Sequence, residues 1–363
     1  MHPKVSLIWL NYNSSKFIEL ALKSLKSLFE LNYSNYEVIV VDNCSTDGSF
    51  EIIKSFLEKA KSDVRVKLIR TDRNLGYTGG NNVGFRARDK DSEYVVLVNN
   101  DFIMHPDSLE VVEHMHGEDS VGAAQGITLN PRGALESFGI ILDEMLAGHG
   151  LSSGTSPQSI KRPFTVTYVL GACAFYRVRA AREAWGGRDR LFFDWAFGYF
   201  DDVVLCLQLW NAGWKCRAYP IITGRHFQSR SFGSTPKNPF KIYLLVRNLL
   251  VLAGVTNSRY KHLIPLLAAR AAATMLKFNF TDTLLSRYVL KAFHDARNAV
   301  AALTRAGFLI DLYRAPVIKL DLIDALQLIT ARRKTVIDKI NERITRFYFG
   351  RTSASLAALG GTR

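Results

Sequence analysis

Four strand-like runs, each followed by a polar turn and a helix-forming stretch, constrain this chain more than anything else in it. They lie at residues 5–10, 37–41, 64–69 and 93–98, and the last carries Tyr94-Val95-Val96-Leu97-Val98 straight into Asn99-Asn100-Asp101. A continuous run of β-branched and aromatic residues reads as a strand buried on both faces, the habit of parallel sheets. Between the runs, Phe17, Leu20, Ala21, Leu25 and Leu28 recur at helical spacing behind a capping Ser14 or Ser15. Thr46-Asp47-Gly48-Ser49 opens a second helix reaching to about residue 60. Alternation of this kind predicts an α/β fold with a doubly wound, mostly parallel sheet.

Such a sheet binds its ligand beyond the carboxyl ends of the strands. Asp42, the segment 74–84 and Asp101 all fall there. Asn-Asn-Asp alone is explained equally well by a polar turn, and segment 74–84 by a glycine turn; their convergence is the stronger signal. The glycines of 74–84 predict a loop that lets backbone approach a ligand and opens a helix whose N-terminus favours phosphate. It matches neither a Walker loop nor GxGxxG. Asp101, at the mouth of the site, is the first candidate to hold a divalent cation.

Further strands are expected at 121–127 and 165–169, and a flexible loop at 148–158. Asp201-Asp202 places adjacent carboxylates at the start of an amphipathic helix, where the macrodipole favours them and capping satisfies one. A short strand at 217–222 leads into Arg225-His226-Phe227-Gln228-Ser229-Arg230. Cys44, Cys173, Cys206 and Cys216 show no metal-binding spacing and read as reduced core residues. The opening apolar run is too short for a signal peptide, so the catalytic region is expected on the cytoplasmic side.

Val-Ser-Leu-Ile-Trp-Leu-Asn-Tyr-Asn at 5–13, Val-Asp-Asn-Cys-Ser-Thr-Asp-Gly-Ser at 41–49, segment 74–84 and Asn-Asn-Asp at 99–101 together resemble the family-two inverting glycosyltransferases of the GT-A fold. The resemblance covers about residues 4–230. It implies a nucleotide-diphospho-sugar donor held by Asn11, Asp42, Asn74, Gly79, Asn100, Asp101 and Arg225, with Asp42 at the base, and Mn²⁺ or Mg²⁺ as cofactor. Asn99 stands where the family's Asp-x-Asp motif has its first carboxylate. That leaves Asp101 as one metal ligand, and the His-containing motif of many relatives implies His226 as the second. Asp201-Asp202 resembles the family's Glu-Asp motif, so Asp202 maps onto the catalytic base and Asp201 replaces the usual Glu. A phosphate acceptor would need no base, and Asp202 would then position it. The Gln-x-x-Arg-Trp motif of processive relatives is absent, so one sugar per encounter is expected. GDP-mannose is the donor taken from polyprenyl-linked branches of the family; the sequence itself does not distinguish it from UDP-sugars or dTDP-rhamnose.

Charge divides the chain. Residues 1–239 hold 27 Lys and Arg against 26 Asp and Glu, whereas residues 240–363 hold 20 against 7. Breakers at 236–239 divide a catalytic domain, 1–235, from a helical region, 236–350, and a flexible end, 351–363. Helices are expected at 242–255, 262–276, 284–293, 299–310 and 317–329, none with an uninterrupted apolar run of eighteen, and each beside a cation such as Arg247, Arg270, Arg287, Arg305 or Lys319. Short or tilted membrane helices account for both the apolar faces and the charge. Packing or oligomerising helices account only for the faces, and nucleic-acid binding only for the charge, with no matching signature. The expectation is an all-helical, membrane-associated C-terminal region serving a lipid-linked, polyprenyl-phosphate type of acceptor, with no nucleic acid. The competing readings are a soluble rhamnosyl-type transferase with an oligomerising tail, and a sugar nucleotidyltransferase. The latter should carry its glycine-rich loop where this chain has Asn11-Tyr12-Asn13-Ser14.

Overall fold

A computed structural model describes residues 2–60, 62–151, 154–228, 238–277, 283–330 and 333–350. Arg230 and the expected flexible end at 351–363 lie outside them. The chain forms two compact units, one from Met1–Gly139 and Gly154–Ser234, the other from Ile140–Ser153 and Thr235–Arg363.

The first unit begins with strand–helix alternation: β1 (Val5–Asn11), α1 (Ile18–Ser27), β2 (Tyr36–Asp42), α2 (Ser49–Lys59), β3 (Arg65–Arg70), α3 (Gly76–Ala87) and β4 (Tyr94–Asn99). It continues through β5 (Phe102–Met104), α4 (Glu110–His116), β6 (Val121–Leu129) and β7 (Leu135–Ser137). Two short strands that belong to the second unit follow, β8 (Ile141–Asp143) and β9 (Gly148–His149). The first unit then resumes with β10 (Phe164–Thr165), β11 (Cys173–Arg177), α5 (Val178–Ala184), α6 (Asp201–Asn211) and β12 (Lys215–His226). Its sheet runs β10-β12-β6-β11-β4-β1-β2-β3, with β5 on β12 and β7 on β6.

Strands β1 to β4 are parallel, as the apolar runs predict, and Tyr94 to Val98 are at most 2% exposed. The remainder of the sheet is mixed: β11 runs antiparallel between β4 and β6, while β5 and β10 are antiparallel to β12. Strand order reverses beside β1, where β2 lies on one side and β4 on the other. This is the topological switch at which open α/β sheets leave a crevice.

Segment 74–84 corrects the loop expectation, because helix α3 starts at Gly76 and contains the remaining glycines. A Cβ on Gly80 would stand 2.5 Å from Leu10 Cδ1, and one on Gly84 2.5 Å from Ile8 Cγ2. One turn apart, these two positions let α3 lie directly on β1. Their job is helix–sheet packing, not ligand approach.

The second unit contains α7 (Pro239–Val255), α8 (Ile264–Lys277), α9 (Thr283–Arg305), β13 (Val317–Ile318), α10 (Leu322–Ile329) and α11 (Arg333–Phe349). The expected helices at 284–293 and 299–310 are one helix, α9, and α11 was not foreseen. Nor is the unit all-helical: β13 pairs in parallel with β8, and β8 pairs with β9. The buried Glu144 carboxylate, between β8 and β9, ties that turn to the segments flanking β13, accepting from Tyr313 Oη at 2.8 Å and Leu320 N at 2.9 Å. Among the described residues no helix is long and apolar enough to cross a membrane, so the expected embedding of 236–350 finds no support. The longest helix, α9, carries Arg287, Lys291, Asp295 and Arg297 along its length, which would place charge at bilayer depth.

Overpacking cores typically costs about 1–3 kcal/mol. Gly84→Ala should therefore lower the free energy of unfolding in urea by about that amount. Gly154→Ala, at an open position with nothing within 4 Å, should change it by no more than about 0.5 kcal/mol.

Candidate active site

Pairing register decides which polar strand ends meet. Asn11 lies opposite Asp42, and Leu10 opposite Asn99. Asn11 Nδ2 donates to Asp42 Oδ1 at 2.9 Å and Ser45 Oγ at 3.1 Å, while Asn11 Oδ1 accepts from Ser14 Oγ at 2.6 Å and Asn100 Nδ2 at 3.2 Å. Asn11, Asp42 and Asn100 are buried. Asp42 Oδ2 also accepts from Ser45 N at 3.0 Å and lies 3.5 Å from Arg70 Nε. Its carboxylate thus organises the turn after β2. Asn43 extends this network, donating to Asn74 Oδ1 at 2.9 Å and Gly76 O at 3.0 Å and accepting from Leu75 N at 2.9 Å. The turn after β2 and the start of α3 are therefore one hydrogen-bonded assembly.

Beyond β4 the chain doubles back through β5, which pairs with β12 so that Phe102 faces His226. Phe227 N donates to Asp101 O at 2.9 Å, closing this pairing. The result brings His226 Nε2 to 3.3 Å from Asp101 Oδ1, across a sequence gap no motif spans. On its other side, His226 Nδ1 meets Glu136 Oε1 at 2.6 Å. Burial lowers the His226 pKa, but the hydrogen bonds to Asp101 and Glu136 outweigh it and raise the value to about 9.

The third cluster forms at α6. Asp202 Oδ1 accepts from Val203 N at 2.8 Å, and Oδ2 lies 3.4 Å from Gly171 N. Gly171 precedes β11, and its neighbour Ala172 accepts from Asn99 N at 3.0 Å, so Asp202 and the end of β4 share one edge of the sheet. Burial raises the pKa of both Asp201 and Asp202, and their mutual repulsion raises that of Asp201 further. The approach to this pair is strained: Phe197, Tyr199 and Phe200 all have positive φ, at 67°, 67° and 62°. Tyr77 and Asn82 of α3 hold that approach. Tyr77 N donates to Phe197 O at 2.7 Å and its hydroxyl to Gly171 O at 2.7 Å, while Asn82 Oδ1 accepts from Leu191 N and Phe192 N.

Of the residues singled out from sequence, Asn11, Asp42, Asn74 and Asn100 join one network, Asp101 and His226 meet, and Asp201 and Asp202 stand together at the start of α6. Two do not join them. Gly79 is buried inside α3, where a Cβ would stand 2.6 Å from Leu75 Cβ. Arg225 is exposed and, preceding His226 on β12, points to the opposite face of the strand. Sequence reasoning missed Glu136, Asn43, Tyr77 and Asn82. The last three lie inside segments it had marked, but a lone Glu on a short strand carries no signal.

Among the described residues no group of three or more His, Cys, Asp and Glu side chains is arranged to hold a metal ion. Asp101 and His226 nevertheless fit as a two-ligand pair. Neighbouring ligands of an octahedral ion with bonds of about 2.1 Å are about 3 Å apart, close to the 3.3 Å here. The carboxylate on Nδ1 is the usual partner of a metal-bound histidine.

Residues 6–185 match the family described as Glycosyl transferase family 2. Over 185 residues the chain is 29% identical to the poly(ribitol-phosphate) β-N-acetylglucosaminyltransferase TarS of Staphylococcus aureus, a match covering 50% of this chain and 28% of TarS. The chain spans 25–40% of the length of the curated relatives it matches. Residues 1–349 of TarS in complex with UDP-GlcNAc superpose with a TM-score of 0.52 at 17% identity, covering 97% of this chain and 93% of that one. The mannosyltransferase PcManGT of Pyrobaculum calidifontis, in complex with GDP-Man and Mn²⁺, gives 0.50 at 16%, covering 97% and 89%. At this identity the superpositions show a shared GT-A-like α/β fold.

A raised histidine pKa contributes stability that is complete below the unfolded value near 6.5 and is lost as pH rises through about 9. Metal-free protein should therefore lose about 3 kcal/mol between pH 6.5 and 9.5 relative to His226→Gln, measured by urea unfolding at each pH. Parallel profiles for the two proteins would contradict a charged His226.

Proposed function

We propose that the protein is an inverting glycosyltransferase that moves one sugar from a nucleotide-diphospho-sugar to a lipid-linked acceptor. The observation that carries this reading is the placing of two clusters, Asp101 with His226 and Asp202 with Gly171, on the same edge of one sheet. One suits a diphosphate and the other an acceptor hydroxyl.

Asn11, Asp42 and Asn43 shape the turn that would border the nucleoside. Asp101 and His226 would hold Mn²⁺ or Mg²⁺, which when bound supplies Lewis-acid stabilisation of the departing diphosphate. Asp202 would take the proton of the acceptor hydroxyl as that oxygen attacks the anomeric carbon and the bond to the diphosphate breaks. Attack opposite the leaving group inverts the anomeric centre. The α6 N-terminus stabilises the ionised Asp202, while burial holds its pKa above the ordinary carboxylate range. Activity should therefore climb with pH through that raised value. Asp202→Asn should lower kcat by at least about 10²-fold and abolish this acidic limb. Full turnover in Asp202→Asn would remove Asp202 as base. Donor choice is testable by thermal shift with GDP-mannose, UDP-GlcNAc and dTDP-rhamnose in Mn²⁺, since a ligand of the folded state raises its apparent stability.

A lipid surface as the setting of the acceptor draws support from the second unit; catalysis on the cytoplasmic face is the further part of this proposal. Residues 240–363 carry 20 Lys and Arg against 7 Asp and Glu. Helix α10 exposes Leu322, Ile323 and Leu326 at 56%, 66% and 46%, with exposed Lys319 before it and Arg333 and Lys334 after it. Apolar side chains flanked by cations bind anionic interfaces. The protein should sediment with phosphatidylglycerol vesicles, less so in high salt, and Ile323→Asp with Leu326→Asp should release it. Wild-type protein left in the supernatant would instead favour an anionic soluble acceptor. The poly(ribitol-phosphate) in the name of TarS is of that chemistry.

A further inference from the structure

We propose that Glu136 is a positioning residue of this site, gripping the His226 imidazole by Nδ1 so that Nε2 is presented to the ligand shared with Asp101. The proposal rests on the reading of Asp101 and His226 as metal ligands. Glu136 Oε1 lies 2.6 Å from Nδ1, shorter than the 3.3 Å from Nε2 to Asp101, so Glu136 is the tighter restraint on the ring. A hydrogen on Nδ1 that is committed to a carboxylate leaves the Nε2 lone pair free for a cation.

The backbone is shaped to make this contact. Strand β7 pairs with β6 through Thr128 with Ser137 and Leu129 with Leu135, with a register shift between the two pairs. Glu136 is thereby the extra residue of a β-bulge, a device that re-aims a side chain and is over-represented beside active sites. Thr128 and Leu129 also pair with Gly224 and Arg225 of β12, so β6 lies between the two strands. Glu136 therefore reaches across the end of β6 to His226.

The Glu136 carboxylate is committed to the histidine through one oxygen only. The Glu136 side chain is 12% exposed, and its Oε2 is buried with no hydrogen-bond partner among the described residues. A buried oxygen left unpaired is a cost to the fold. The carboxylate is held where it touches the histidine despite that cost.

The test is Mn²⁺ binding to the full chain, followed by electron paramagnetic resonance of free Mn²⁺, with the metal alone and with UDP or GDP. Glu136→Ala should weaken Mn²⁺ binding about 10- to 100-fold. Glu136→Gln keeps an oxygen that accepts from Nδ1 and should stay within about threefold of wild type. In a His226→Ala background, Glu136→Ala should add no further loss, because Glu136 acts only through the ring. If Glu136→Ala does not fold, Glu136→Met, which keeps the stem without an acceptor, takes its place. Wild-type affinity in the variant lacking the acceptor overturns the proposal and leaves the ligand reading standing, as does an undiminished loss in the His226→Ala background. Failure of wild type to bind Mn²⁺ under any of these conditions overturns both.

Discussion

Parallel pairing of β1 with β4 is the constraint on which the rest of the first unit depends. Both strands are buried, so their backbone groups must pair along the whole length and the register cannot slip. A slip of one residue would turn every core side chain of β4 to the other face. With Val5 opposite Tyr94, the apolar segments end together and the polar residues emerge at one edge. Asn11, Asn100 and Asp101 owe their proximity to this register, and β2 adds Asp42 because Asn11 is its partner in turn.

A polar edge of this kind is expensive unless its groups satisfy each other. Asn11, Asp42, Ser45, Asn43 and Asn74 do so through buried and half-buried hydrogen bonds, and α3 closes over them by resting its glycines on β1. The same helix uses Tyr77 and Asn82 to hold the strained run at 197–200 and the adjoining segment. Helix α3 thus links the polar turn after β2 to Asp201 and Asp202. The segment that resembles a ligand loop in sequence works as the brace between two halves of the site.

Much of this was legible in advance. Apolar runs set the parallel half of the sheet because burial on both faces leaves composition no freedom, and the carboxylates after β4 and at the start of α6 mark the edge of the candidate site through strand ends and helix dipoles. The antiparallel half was less legible. Strands β5, β7 and β10 are two or three residues long, too short for periodicity to register, and they exist because neighbours offer unpaired edges. In the second unit, β8 and β9 are supplied by residues 141–149, far from the helices they accompany.

By itself the sequence determined the order of the strands, the parallel pairing that follows from their burial, and the polar residues at their carboxyl ends. It determined the uneven charge as well, since that is a matter of counting. Only the tertiary structure decided which of those residues meet. Glu136 and His226 are 90 positions apart and come together because β6 lies between β7 and β12, with a bulge turning Glu136 across it. Gly79 and Arg225 carried suitable chemistry but fall inside a helix and on the far face of a strand. Side-chain direction depends on where the elements pack, and no local pattern encodes that.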